Sequence, residues 1–256
     1  MSDIVNIKTL RQYKVVKANE LIQKSRFSLS TQQQKCLLYI ISKIKPTDKD
    51  FNEQTFDISE FCRVCGLDYS NGANYKYIKN SLKTLRDKSI WVTLEDGSET
   101  TLAWINKVTI NKKSGKVKIR LDDDMKPYLL QLEEKFAQYE LIHTLAMKSQ
   151  YSIRIYELLK SYQYKKVMDF DIDEFKRLID AEKYVNFKDL RVKVIAIAMR
   201  EIDAYSDLLV NYTPIKKGKK VVRLEFDIKY KNNVDDILAT RNNIYKVLEP
   251  DKQNMS

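Results

Sequence analysis

Glycine and proline are scarce in this chain, five and four in 256 residues, so it is built mostly of regular elements rather than loops. Cysteine is scarcer: Cys36, Cys62 and Cys65 are an odd count in a large chain, which points to a reducing cytoplasm. The spacing Cys62-Arg63-Val64-Cys65 is that of a zinc knuckle, but no second pair follows. His143 is the sole histidine, so a four-ligand zinc site cannot be assembled. The same shortage excludes the paired-histidine metal centre of nicking initiators and the basic and histidine cluster of a tyrosine recombinase. A phosphate-binding GxxxxGK[ST] loop is absent, which argues against ATP hydrolysis of that type. The longest apolar run, residues 194–199, falls far below the ~18 residues of a membrane span. The opening Met1-Ser2-Asp3-Ile4 lacks the profile of a signal peptide. The expectation is a cytoplasmic protein without membrane, metal, cofactor or enzymatic activity.

What is present points elsewhere. Hydrophobic residues make up 43% of the chain, enough for packed cores, and the length suits two domains of ordinary size. The formal net charge is +11, a surplus that attracts polyanions. Nucleic acid is the favoured polyanion. A cationic membrane-surface protein or a merely basic soluble protein would carry the same sum, so placement of the charge has to decide.

Residues 56–61 read FDISEF and residues 170–175 read FDIDEF. Upstream of each lies a helix-like segment containing a tyrosine, Tyr39 and Tyr156. Downstream of each comes a second helical segment and then a basic turn, Lys112-Lys113-Ser114-Gly115-Lys116 and Lys216-Lys217-Gly218-Lys219-Lys220. The unit of helix, strand, helix, helix and basic hairpin therefore occurs twice, and that order is the plan of a winged helix. The predicted fold is α+β, two tandem winged-helix domains related by internal duplication: residues 15–124, residues 125–232, and a tail at 233–256.

In the first unit, Ser28 or Ser30 caps a helix carrying Cys36, Leu37, Ile40 and Ile41 at core spacing. A strand at 56–58 precedes a helix capped by Ser59 and ended by Gly66. Asn71-Gly72-Ala73-Asn74 is turn chemistry, followed by a helix over 75–88. Strands are expected at 90–94, 103–110 and 116–121. Asp122, Asp123 and Asp124 suit the N-terminus of an apolar helix, with a divalent-metal site as the alternative. The second unit repeats this plan with helices over 149–162 and 186–205, a strand and capped helix over 169–179, and a hairpin of 208–212 and 221–230. The tail is expected to be helical over 234–248.

On the helix at 75–88, Ile78, Leu82 and Leu85 form a core stripe, and Lys76, Lys79, Lys83 and Arg86 form a neighbouring one. In the second helix Leu190, Val194 and Ile197 take the core positions, and Lys188 and Arg191 take the places of Lys76 and Lys79. Beyond that the match lapses, with Ile195 and Ala198 where Lys83 and Arg86 stood. In helix-turn-helix proteins the N-terminal part of the recognition helix meets base edges. Lys188 and Arg191 are thus groove candidates, with Tyr184 and Asn186 alongside, and Arg191 suits bidentate pairing with guanine. Lys112, Lys113 and Lys116 of one hairpin, and Lys216, Lys217, Lys219, Lys220 and Arg223 of the other, suit the sugar-phosphate backbone. A solvated basic face, or lysines blunting an edge strand, would look the same on either unit alone. Occurrence on equivalent faces of both favours DNA.

With those residues in place, the sequence resembles the iteron-type plasmid replication initiators, the Rep family with two tandem winged-helix domains, over about residues 16–231. Asn19-Glu20-Leu21-Ile22, the helix at 37–41 and FDISEF carry the resemblance in the first half. Tyr128-Leu129-Leu130-Gln131-Leu132, Tyr139-Glu140-Leu141 and above all the YSIRIYELL segment at 151–159 carry it at the centre. Phe187-Lys188-Asp189-Leu190-Arg191, Glu201-Ile202 and the Gly218 wing complete it. The resemblance implies a protein that binds double-stranded DNA at direct repeats of a plasmid origin, helps to melt it, and recruits the host replication initiator and helicase. It implies a homodimer in equilibrium with a monomer, the dimer repressing its own gene. The first domain would supply dimer and backbone contacts, the second the main sequence reading. A departure is the apolar run Val192, Ile195, Met199 and Ile202, which suggests that this part of the second helix packs on another element. A winged-helix transcriptional repressor with no replication role is the competing reading; duplication within one chain favours the initiator.

Overall fold

The computed structural model describes residues 6–70 and 72–250. The first half runs α1 (Ile7–Arg11), β1 (Lys14–Ala18), α2 (Asn19–Lys24), β2 (Ser25–Arg26), α3 (Thr31–Ser42), β3 (Gln54–Asp57), α4 (Ile58–Val64) and α5 (Gly72–Arg86). Four strands follow, β4 (Ser89–Thr93), β5 (Glu99–Ala103), β6 (Ile105–Ile110) and β7 (Lys116–Leu121). The second half runs α6 (Lys126–Leu129), β8 (Phe136–Glu140), α7 (Ile142–Leu145), α8 (Gln150–Ser161), β9 (Val167–Asp171) and α9 (Ile172–Leu178). Then α10 (Phe187–Leu190) continues through a π-helical turn (Arg191–Ile195) into α11 (Ala196–Tyr205), followed by β10 (Leu208–Lys217), β11 (Lys220–Tyr230) and α12 (Val234–Leu248).

Both units fold as the repeat predicts. The first has a sheet ordered β3-β7-β6 and the second one ordered β9-β11-β10, so in each the strand that opens the repeated hexapeptide pairs with the returning strand of the hairpin. Phe56 lies opposite Val117 and Phe170 opposite Leu224. The apolar members of the repeated hexapeptides, Phe56, Ile58 and Phe61 and then Phe170, Ile172 and Phe175, are all buried. That is why the hexapeptide is kept twice: it supplies the strand residue, the turn and the first helical knob of each core.

Local chemistry sets the boundaries. Ser30 caps α3 in a full capping box: Ser30 Oγ accepts from Gln33 N at 3.3 Å, and Gln33 Oε1 accepts from Ser30 N at 2.9 Å. The cap of α4 lies at Asp57, two residues before the expected Ser59. Its side chain makes no cap bond; instead Ile58 N donates to Gly115 O of the wing at 3.1 Å. Asp171 caps α9 conventionally, accepting from Asp173 N and Glu174 N. Of the expected turn at 71–74, Asn71 lies outside the described residues, and Gly72, Ala73 and Asn74 already belong to α5. Asn74 Nδ2 donates back to Asp68 O at 2.7 Å, so its turn-forming amide ties the loop to the helix rather than making a turn.

Two further expectations are corrected. The predicted strand at 103–110 is two strands: Ala103 ends β5, paired with β4, while Ile105–Ile110 pairs with β7. Buried Trp104 stands between them. The helix expected after Asp122–Asp124 is only a 3-10 turn and the four residues of α6. Asp122 caps it, accepting from Asp124 N at 3.1 Å, and Asp123 pairs with Arg120 at 3.2 Å and Lys126 at 3.0 Å. Asp122 therefore serves a cap and Asp123 ion pairs.

The two units are joined through one continuous buried core. β1 pairs antiparallel with β8, Lys14 opposite Glu140. Helix α8, the YSIRIYELL segment, carries the joint. Its Arg154 is buried and donates Nε to Leu178 O at 2.9 Å and Nη2 to Ile22 O and Ser25 O at 2.8 Å. Burial lowers the Arg154 pKa to about 10. One turn on, Glu157 Oε1 accepts from Lys17 Nζ at 2.6 Å and from the Tyr139 hydroxyl at 2.5 Å, and the Lys17 and Glu157 side chains are 4% and 2% exposed. α12 ties the chain a second time. It packs on α11, and Arg11 of the first half pairs with Glu249 at 2.5 Å just beyond its end.

Candidate nucleic-acid interface

In the first unit Ile78, Leu82 and Leu85 bury the inner face of α5. Lys76, Lys83 and Arg86 stand exposed and Lys79 is half-buried. Arg86 lies 3.9 Å from Asp87; no ion pair among the described residues engages Lys76, Lys79 or Lys83. The wing turn is shaped by Asn111, whose Oδ1 accepts from Lys113 N at 2.9 Å and Ser114 N at 3.1 Å. Gly115 turns the chain at φ +70°, where a Cβ would sit 3.5 Å from Tyr69 Oη and 3.7 Å from the Tyr75 ring. The wing turn is therefore seated at the start of α5. Lys112, Lys113 and Lys116 are exposed there and make no ion pair among the described residues, whereas Lys118 pairs with Glu53 at 3.2 Å.

In the second unit Asn186 caps α10: its Oδ1 accepts from Asp189 N at 2.8 Å and its Nδ2 donates to Asp189 Oδ2 at 2.9 Å. Its amide is committed to the helix start, which limits what it can offer a base. Tyr184 is half-buried, ring-packed 6.0 Å from Tyr151 and beneath Lys183 at 5.5 Å. Lys188 and Arg191 are exposed beside buried Leu190 and Val194.

The lapse of the repeat after Arg191 has a physical cause in the π turn, which accommodates one extra residue. Leu82 still matches Val194, but beyond the turn Leu85 matches buried Ala198 rather than half-buried Ile197. Ile195 and Ile202 accordingly pack into the core, as the apolar run suggested, while Val192 does not. The turn also exposes Lys193, 3.1 Å from Asp189, a cation that sequence periodicity passed over because an unbroken 3.6-residue repeat hides it.

The second wing turns at Gly218, φ +64°. Lys216, Lys217, Lys219 and Lys220 are exposed and outside every ion pair among the described residues. Arg223 is different: it is bound to Asp169 across β11 and β9, so its charge is already answered. A cleft runs between this wing and the start of α10, lined by Lys216, Lys219 and Lys220 on one side and Val185, Asn186 and Phe187 on the other. Lys176 lies in its wall, 3.4 Å from both Asp173 Oδ1 and Val185 O; it sits on the short helix α9, outside the helix and hairpin that the basic pattern singled out. Asp173 and Glu182 also line the cleft, against four lysines, so wing and helix start face a space of net positive charge, the arrangement that holds a polyanion by charge and presents a helix end to it.

The comparisons agree with this architecture. The family model described as initiator replication protein, WH1, matches residues 14–160, and that described as initiator Rep protein, WH2, matches residues 171–228. A replication initiation protein of Escherichia coli is 26% identical over 245 residues, covering 91% of this chain and 75% of that protein. The crystal structure of Pi initiator protein in complex with iteron DNA shares the fold at a TM-score of 0.74 and 19% identity, covering 87% of this chain and 99% of that one. Matched through both units by the two domain models, the chain belongs to the initiator replication protein family, with two tandem winged-helix domains.

Proposed function

We propose that this protein initiates plasmid replication by binding direct repeats, the iterons, at a double-stranded origin. The observation that carries the reading is the cleft of the second unit, where Lys216, Lys219 and Lys220, without ion pairs among the described residues, face the start of the helix bearing Lys188 and Arg191. The first unit offers an equivalent helix and wing with Lys76, Lys83, Lys112, Lys113 and Lys116 exposed. The second unit, residues 125–232, is the main reader, with Arg191 on base edges and the wing lysines on phosphates. The first, residues 15–124, adds backbone contacts and the dimer surface. Work at the origin follows in the cytoplasm: melting, recruitment of the host initiator and helicase, and repression of the protein's own gene by the dimer.

A plain repressor would share every DNA contact. Footprinting on DNA flanking the gene separates the two: regularly spaced direct repeats support initiation, and a lone palindrome rejects it. Arg191→Ala is expected to abolish preference for the cognate repeat and to spare most binding to random DNA. Equal loss on random DNA rejects its reading role.

A further inference from the structure

The reading end of the second unit carries more than cations. Val185, immediately before the cap, is 86% exposed, the largest value for a large hydrophobic residue among those described. Val192, beside Arg191 and one turn beyond Lys188, is 53% exposed. A single exposed valine is ordinary on a protein surface. Val185 lines the cleft before the helix start with Lys216, Lys219 and Lys220, and Val192 follows seven residues on, in the π turn of the helix that bears Lys188 and Arg191. Further along the helix Val194, Ile195, Ala198 and Ile202 are buried, and Ile197 and Met199 are half-buried. The π turn falls at the point of change. The two valines are thus exposed alongside Asn186, Lys188, Arg191 and Lys193 on the face offered to a groove.

In the major groove, an aliphatic side chain has one distinctive apolar partner, the C5-methyl of thymine. We propose that Val185 and Val192 are specificity-determining residues that pack against thymine methyl groups in the repeat, complementing the guanine contact of Arg191. This rests on the assignment of the α10 end as the DNA-reading face.

The test starts from duplexes that the wild-type protein enriches from a random library. Each thymine of the enriched sequence is replaced in turn by deoxyuridine, which removes only the methyl. Loss of one buried methyl corresponds to about fourfold weaker binding, and wild type is expected to show that loss at one or two positions. Val192→Ala and Val185→Ala should each erase the thymine-over-uracil preference at one position while keeping the guanine preference that Arg191→Ala removes. Both valines are solvent-exposed, so unchanged melting of the variants is expected and serves as the folding control. Equal binding of thymine and uracil duplexes by wild type overturns the methyl contacts. So does a preference that persists in both variants, since it would then reside in DNA shape. If no sequence is enriched at all, the DNA-reading assignment itself fails and the methyl contacts with it.

Discussion

The salt dependence of DNA binding tests the second wing directly. Lys216 and Lys217 sit at its tip, exposed and without ion pairs among the described residues, so their counterions are available for release. Each phosphate neutralised contributes about 0.9 to the slope of log K against log salt. Lys216→Ala with Lys217→Ala should therefore flatten that slope by about 1.8. Raised to that power, the fourfold change from 200 to 50 mM salt should make the variant's deficit about tenfold larger at the lower concentration. Arg223→Ala is the internal control, because its guanidinium is held by Asp169, and it should leave the slope nearly unchanged. Fluorescence anisotropy on a random duplex across that salt range measures both. A slope unchanged in the double variant would remove the wing tip from the interface, and an Arg223 effect as large as that of the two lysines would show that Asp169 does not hold its charge back from DNA.

Three further outcomes concern the scaffold. Lys17→Met leaves the Glu157 carboxylate buried beside Tyr139 without its cation and should cost about 3–5 kcal/mol, read by urea unfolding; Glu157→Gln in the same chain should recover much of it, and a single-variant loss below about 1 kcal/mol would contradict the buried pair. Burial holds the His143 imidazole below the usual histidine range, so the unfolded chain takes up a proton that the folded chain resists. Stability should therefore fall as pH drops through about 6.5, by at most about 1.4 kcal/mol per pH unit and until the folded group is itself protonated; His143→Gln should flatten that dependence, and an unchanged slope would show that other groups set it. At Gly66, φ is +67° and an added Cβ would meet the Leu248 backbone at 2.6 Å. Gly66→Ala should thus loosen α12, seen as faster amide exchange over Val234–Leu248, and unchanged protection would show that the contact yields at no cost.

The duplicated plan was legible because its signals are local: the hexapeptide sets strand, turn and helix together, and lysine runs without acids mark both wings. Ser30 and Asn186 announced their helix starts for the same reason. What escaped depends on chain segments distant in sequence. Arg154 and Glu157 stood in the YSIRIYELL segment with no role assigned; their partners Ile22, Ser25, Lys17 and Tyr139 come from elsewhere in the chain. β5 carries Glu99 and two threonines on an exposed edge, so no alternation of apolar residues betrayed it. The fate of Ile197 and Ala198 turned on a single-residue phase change, which no periodicity with a fixed repeat can register. Arg223 looked available for DNA because Asp169 lies fifty-four positions away.

The double attachment of the halves has a thermodynamic consequence. A pair of winged helices on a simple tether would melt separately, each with its own midpoint. Here the β1–β8 pairing, the guanidinium of Arg154 and the α12 anchor at Glu249 make each half's unfolding strip the other of partners for charged groups already out of water. Heat should therefore disassemble the molecule in one cooperative step, and a fragment cut between the halves should lose stability on both sides of the cut.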